Sequence, residues 1–260
     1  MKLLDRFRLD GKAAIVTGAG RGIGRAIALA LAEAGARVAV GARTLEDVER
    51  TAGEARALGV DALAVGCDVT KRADLERLVE ETRRRFGRID VLVNNAGGCL
   101  PTPALRTSEK SFNEAFQFNV TSAFVLTRLV VPHMLEGEGG SIINISSGAG
   151  RLIQKGFAAY GTSKAALSFL SRLLGAELAP KVRVNAIAVG AILTDALTGF
   201  VDDSTRAKMA ELTPMKRLGT VEDIAAAALY LASPASGWIT GKVLEVDGGT
   251  EATNLPFEIA

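Results

Sequence analysis

The sequence predicts a doubly wound α/β fold: a mostly parallel sheet of about seven strands with helices on both faces. Three observations predict it. Short apolar runs alternate with longer amphipathic stretches along the chain, the pattern of a sheet covered on both sides. The runs are apolar at consecutive positions, as in Ala13-Ala14-Ile15-Val16, which suits strands with no solvated face. A glycine-rich turn joins the first run to the first helical stretch. Strand-like runs fall at residues 13–17, 38–40, 62–65, 91–93, 141–145, 182–187 and 242–246, and helical patterns at 24–34, 45–58, 73–86, 109–135, 160–178 and 221–232. No repeat, low-complexity tract or Pro/Ser-rich linker divides them, so one domain over residues 1–260 is expected.

Taken in order, the first run leads into Thr17-Gly18-Ala19-Gly20-Arg21-Gly22-Ile23-Gly24 and then a helix. Its glycines permit a tight turn, close approach of backbone to a pyrophosphate and close helix–strand packing, while free amides and the helix dipole stabilise the anion. The spacing is G-x-x-x-G-x-G, with Gly18, Gly22 and Gly24. The second run ends Val40-Gly41-Ala42-Arg43, with Ala42 where an NAD site usually places an acid for the ribose 2′-hydroxyl. Arg43 and Arg21 can instead bracket a 2′-phosphate, which guanidinium geometry suits, so NADP is the expected cofactor. The alternative leaves both arginines solvated, with Glu46 or Asp47 serving the ribose of NAD.

The third helical stretch carries Arg83-Arg84-Arg85 among Glu80, Glu81 and Arg88, the composition of a solvated face. The fifth run closes on Ile145-Ser146-Ser147, where a serine hydroxyl can meet a substrate oxygen as charge develops on it; strand-end capping is the plainer use. Tyr160-Gly161-Thr162-Ser163-Lys164 then opens a long helix and places phenol and ammonium on one face. Moving a tyrosine from about 10 to about 7 takes roughly 4 kcal/mol of preference for the phenolate. A nearby lysine and an oxidised nicotinamide both favour that anion.

The chain resembles the short-chain dehydrogenases/reductases from Leu9 to about Gly249, through Thr17–Gly24, Asn94-Asn95-Ala96-Gly97, Asn119, Ser147 and Tyr160/Lys164 in the family order. The resemblance implies that Tyr160 donates or accepts the proton, Ser147 orients the carbonyl, and Lys164 lowers the tyrosine pKa and holds the nicotinamide ribose. It implies that Asn119 binds a water linking Lys164 to solvent. Asp68 with Val69 faces the adenine, Asn94, Ala96 and Gly97 line the cofactor cleft, and Gly190, Ile192 and Thr194 border the nicotinamide. Where the family has Pro-Gly, this chain has Val189-Gly190, and valine cannot fix φ as proline does; a less rigid loop entry is expected. Within the family, residues 8–12, 94–98, 190–197 and 213–219 resemble bacterial 7α-hydroxysteroid dehydrogenases. The implied substrate wall is Cys99, Leu100, Gly148, Ala149, Val189 and residues 196–209, apolar enough for a bulky alicyclic ketone; general core packing explains such a stripe equally well. A reductase of 3-oxoacyl thioesters or small ketones is the competing enzyme, and a non-catalytic dinucleotide sensor the competing class, although sensors typically lack the tyrosine or lysine. The family implies a homotetramer through the two long helices and the C-terminal region, with residues 254–257 packing on a neighbour.

Composition bounds the rest. A chain of 260 residues, 48% of them hydrophobic, can bury a full core. A formal net charge of +2 and 5% aromatics argue against a nucleic-acid partner. Cys67 and Cys99 have no metal-type spacing and fit a reducing cytoplasm. No uninterrupted apolar run reaches bilayer length and charge comes early at the N-terminus, so neither a membrane span nor a signal peptide is expected. His133, the one histidine, has no second ligand nearby, and no metal site is expected.

Overall fold

The computed structural model describes residues 2–194, 197, 199 and 201–255. The strands are β1 Ala13–Thr17, β2 Arg37–Ala42, β3 Ala62–Gly66, β4 Val91–Asn94, β5 Gly140–Ser147, β6 Val182–Val189 and β7 Val243–Val246. They form one parallel sheet in the order β3-β2-β1-β4-β5-β6-β7. The order reverses beside β1, between β2 and β4, so the crevice beyond the carboxyl ends of β1 and β4 is where this topology receives a ligand.

The helices are α1 Gly22–Glu33, α2 Leu45–Ala57, α3 Arg72–Phe86, α4 Glu109–Phe116, α5 Ser122–Glu136, α6 Ala158–Glu177, α7 Asp203–Leu212 and α8 Val221–Ala232. Side chains alternate across each strand. In β1, Ala14 and Val16 join Ile27, Leu31, Val48 and Ile224 on the face covered by α1, α2 and α8. Ala13 and Ile15 join Leu78, Leu126, Val130 and Leu174 on the face covered by α3, α5 and α6. Both faces are dry, which is why the strands read as unbroken apolar runs.

Two departures from the sequence expectation bear on the site. The stretch expected as one helix over 109–135 is split by a π turn, Gln117–Thr121, centred on Asn119. There the Asn119 amide donates to the Ala115 carbonyl at 2.8 Å and to the Gly98 carbonyl at 3.1 Å, inserting a side chain into the helical ladder. Periodicity cannot register one extra residue in a turn. Helix α7 was not expected; Asp202 caps it by accepting from the Thr205 amide at 2.7 Å. The combined span Glu109–Glu136 has the length and hydropathy of a membrane crossing, but Leu126, Val130 and Met134 on it are buried against the sheet.

Candidate active site

A cleft of about 560 Å³ opens beyond the carboxyl ends of the central strands. One wall is the turn between β1 and α1. Gly18 (φ +63°) and Gly22 (φ +56°) take a backbone that other residues rarely adopt. A Cβ on Gly18 would lie 2.8 Å from the Asn95 amide nitrogen and 3.0 Å from the Ala96 Cα. Asn95 fixes the turn by donating to the Thr17 and Gly18 carbonyls at 2.9 and 3.1 Å. Arg21 precedes α1, and its side chain caps none of the first amides, which leaves them free for an anion.

The opposite wall comes from β5, its turn and α6. Lys164 is buried, and its ammonium donates to the Ile145 carbonyl at 2.8 Å. That nitrogen lies 5.7 Å from the centre of the Tyr160 ring. The Ser147 hydroxyl accepts from the Ala149 amide at 3.1 Å, which directs its own proton away from that amide. Ser146 bonds the Lys164 carbonyl at 2.9 Å and the Ser168 hydroxyl at 2.7 Å, tying β5 to α6. Asn119 accepts from the Gly98 amide at 2.8 Å. A Cβ on Gly97 would sit 2.6 Å from the Asn119 Oδ1 and 3.0 Å from the Lys164 Nζ, so these groups converge on one spot and only glycine fits between them.

Known proteins similar to this chain place it in a family. The family model described as "Enoyl-(Acyl carrier protein) reductase" matches residues 18–251. An uncharacterised oxidoreductase of Mycobacterium tuberculosis is 51% identical over 99% of this chain and 98% of its own length. The 7α-hydroxysteroid dehydrogenase of Escherichia coli K12 is 44% identical over 94% of this chain and 96% of its own. A solved 7α-hydroxysteroid dehydrogenase complexed with NADH and 7-oxo glycochenodeoxycholic acid superposes with a TM-score of 0.93 at 43% identity, covering 96% of this chain and 98% of that one. The chain is a short-chain dehydrogenase/reductase. It is an oxidoreductase acting on CH–OH groups with a nicotinamide dinucleotide.

Most of the residues singled out in the dehydrogenase sequence meet in this cleft. Gly18, Arg21, Gly22, Ile23, Gly24 and Gly97 line it, as do Ser147, Tyr160, Lys164, Gly190, Ile192 and Thr194. So do Cys99, Leu100, Gly148, Ala149, Val189, Leu197 and Met209; Ala196, Thr198 and Phe200 lie outside the described residues. Asn94 does not join them. Its amide is buried, donating to Asn144 at 2.8 Å and Thr127 at 3.4 Å, because β4 turns this side chain away from the cleft and presents Asn95 instead. Ala96 packs behind Gly18.

Arg43, Asp68 and Val69 stand apart from the cleft's lining, beyond the ends of β2 and β3. Val69 is buried and Arg43 exposed. The Asp68 carboxyl is held below its usual range mainly by the Thr70 hydroxyl, with Arg43 adding to the effect. Of the alternative ribose acids, Asp47 packs against Gly20 and pairs with Arg50 at 2.6 Å.

The loop after β6 leaves from a paired strand end. Val189 pairs with Val246 in the sheet, the Gly190 amide donates to the Val246 carbonyl at 3.0 Å, and Ile192 bridges Gly219.

Burial pushes the Tyr160 pKa up, and the Ser147 hydroxyl is what pulls it back. Burial lowers Lys164 to about 8. Its ammonium donates to the Ile145 carbonyl and lies beside the Tyr160 ring. In the protein's own field Tyr160 is a protonated acid, the form that carbonyl reduction needs.

The residues fit a dinucleotide: a turn whose Gly18 and Gly24 have no room for a Cβ, free amides at the start of α1, and the Thr194 methyl 3.8 Å from where a Cβ on Gly22 would sit. Sequence reasoning missed a second group of lining residues: Leu152, Gln154 and Phe157 after the serine turn, and Asp247, Thr250, Asn254 and Leu255 in the C-terminal segment. They carry no motif, and the last four reach the cleft only because the chain returns past β7. Of the tail expected on a neighbour, Asn254 bonds Thr213 of its own chain at 3.1 Å; Pro256 and Phe257 lie outside the described residues.

Proposed function

We propose that this dehydrogenase, a single domain over residues 1–260, uses NADP to interconvert a bulky alicyclic ketone and its secondary alcohol, with a 7-oxo or 7α-hydroxy steroid as the leading substrate class. The observation that carries the reading is the convergence of Ser147, Tyr160 and Lys164 on one wall, opposite the glycine turn. The nicotinamide, when bound, supplies or takes the hydride. Ser147, oriented by the Ala149 amide, donates to the carbonyl oxygen, and Tyr160 delivers the proton. Lys164 and Asn119 hold the ribose side of the site and its proton path.

The apolar wall of Cys99, Leu100, Ala149, Leu152, Phe157, Val189 and Met209 supports a bulky hydrocarbon substrate. For the cofactor, Ala42 leaves no carboxylate at the end of β2, and the exposed Arg43 with Arg21 supports a 2′-phosphate. A reductase of 3-oxoacyl thioesters or small ketones is the second reading, supported by 38% identity to a 3-oxoacyl-[acyl-carrier-protein] reductase of Staphylococcus epidermidis. Exposed apolar side chains on α5 and α6 (Phe124, Phe169, Leu173), with Trp238 and Leu244 elsewhere, support a homotetramer, for which light scattering is the check. Two free thiols support a soluble protein of a reducing cytoplasm.

The test is a panel of 7-oxo bile acids, alicyclic ketones and 3-oxoacyl thioesters with NADPH and NADH, run on the wild type and Tyr160→Phe. Turnover of the bile acids with NADPH, lost in the variant while nucleotide binding persists, is expected. Undiminished activity of the variant overturns the tyrosine assignment, tighter NADH than NADPH binding overturns the cofactor, and inert bile acids overturn the substrate class.

A further inference from the structure

The substrate side of the cleft has a wall built by neither the nucleotide motif nor the catalytic residues. After β7 the chain turns at Gly248 (φ +69°) and Gly249 (φ +81°) and runs back over the cleft. Asp247, Thr250, Asn254 and Leu255 of this strap line it. Two pins hold the strap. At its far end the buried Asn254 donates to the buried Thr213 hydroxyl at 3.1 Å. At its near end a single guanidinium does the work. Arg151 donates to the Thr250 carbonyl at 2.7 Å and to the Asp247 carboxylate at 3.2 Å, and pairs with Glu251 at 2.7 Å and Glu245 at 3.2 Å.

These contacts differ in weight. Glu251 is 80% exposed, so its pair is screened and adds little. The Asp247 side chain is only 7% exposed, and its second oxygen accepts from the Gly249 amide at 3.0 Å. The Arg151–Asp247 bond therefore locks the turn that starts the strap. Arg151 itself stands four residues after Ser147, on the same turn, beside the lining residues Leu152 and Gln154.

We propose that Arg151 is a positioning residue for the substrate, tying the turn that carries Ser147 to the Asp247–Leu255 strap and so setting the width of the pocket between them. It touches no reacting atom. The serine turn keeps its own bonds without the guanidinium: Ala149 to the Ser147 hydroxyl, and Arg151 and Leu152 amides to the Gly148 carbonyl at 2.9 and 2.7 Å. Loss of Arg151 should thus loosen binding and spare the chemical step.

The inference rests on the proposal that this half of the cleft receives the carbonyl compound, and two readouts separate the two ideas. The first is hydrogen exchange of the Gly249–Leu255 amides in the full-length protein without substrate. The second is steady-state kinetics with NADPH and 7-oxo glycochenodeoxycholic acid, or the best alicyclic ketone of the panel. Arg151→Ala should speed exchange in the strap and raise KM about tenfold, with kcat within about twofold and NADPH affinity unchanged. Arg151→Lys, which keeps the charge without the fork, should fall between, and Glu251→Gln should stay near wild type. Unchanged strap exchange, or a fall in kcat at constant KM, overturns the role of Arg151 even if the wild type reduces the ketone well. A wild type inert towards every ketone counts against the functional reading instead, and exchange alone then decides the strap.

Discussion

Replacing Lys164 by methionine should remove turnover and at the same time stabilise the fold. The lysine is 3% exposed, and burial brings its ammonium from 10.5 down to about 8. Holding that charge in the folded chain costs about 3 kcal/mol. Its bond to the Ile145 carbonyl returns about half of this. Methionine fills a similar volume without the charge, so at pH 7 the variant should gain about 1–2 kcal/mol, or roughly 3–6 °C in Tm. The sign with pH follows from a folded-state pKa below the unfolded one. The penalty on wild type is complete below about 8, shrinks as pH rises from about 8 to 10.5, and is gone above. The gain of the variant should therefore fade over that window. Thermal unfolding of both proteins without added nucleotide, from pH 6 to 10, makes the comparison. A variant less stable than wild type, or a gain that does not change with pH, would refute the argument that a desolvated cation is held there for function.

Other outcomes follow from the same geometry. Ala42→Asp should put a carboxylate at the end of β2 and shift the ratio of NADPH to NADH affinity by about tenfold or more towards NADH, measured by titration of either nucleotide. Ser147→Ala removes the hydroxyl that pulls the Tyr160 pKa down, so the phenol stays protonated to higher pH. The alkaline limb of the reduction profile should move upward while kcat falls about a hundredfold, as read from pH–rate curves. Gly97→Ala forces a methyl between the Asn119 Oδ1 and the Lys164 Nζ. It should lower kcat/KM about a hundredfold and also lower Tm, whereas alanine at the open Gly53 inside α2 should leave kcat/KM near wild type and raise Tm slightly.

The sequence by itself determined the architecture and most of the cofactor wall. Both signals are local: consecutive apolar residues mark strands buried on two faces, and the glycines of residues 18–24 answer a backbone demand written within one turn. Tyr160 and Lys164 were legible because a helix converts a four-residue spacing into a shared face. Tertiary structure decided what depends on distant partners. Asn94 and Asn95 are neighbours in the chain, yet the strand sends one to Asn144 in the core and the other to the glycine turn. The π turn sets Asn119 against Gly98, twenty-one residues away, and the two exchange hydrogen bonds. Burial raises the Tyr160 pKa and the hydroxyl of Ser147, from a different element, pulls it down. The substrate wall of Asp247–Leu255 exists only because the chain folds back to Arg151 and Thr213, contacts that no local pattern encodes.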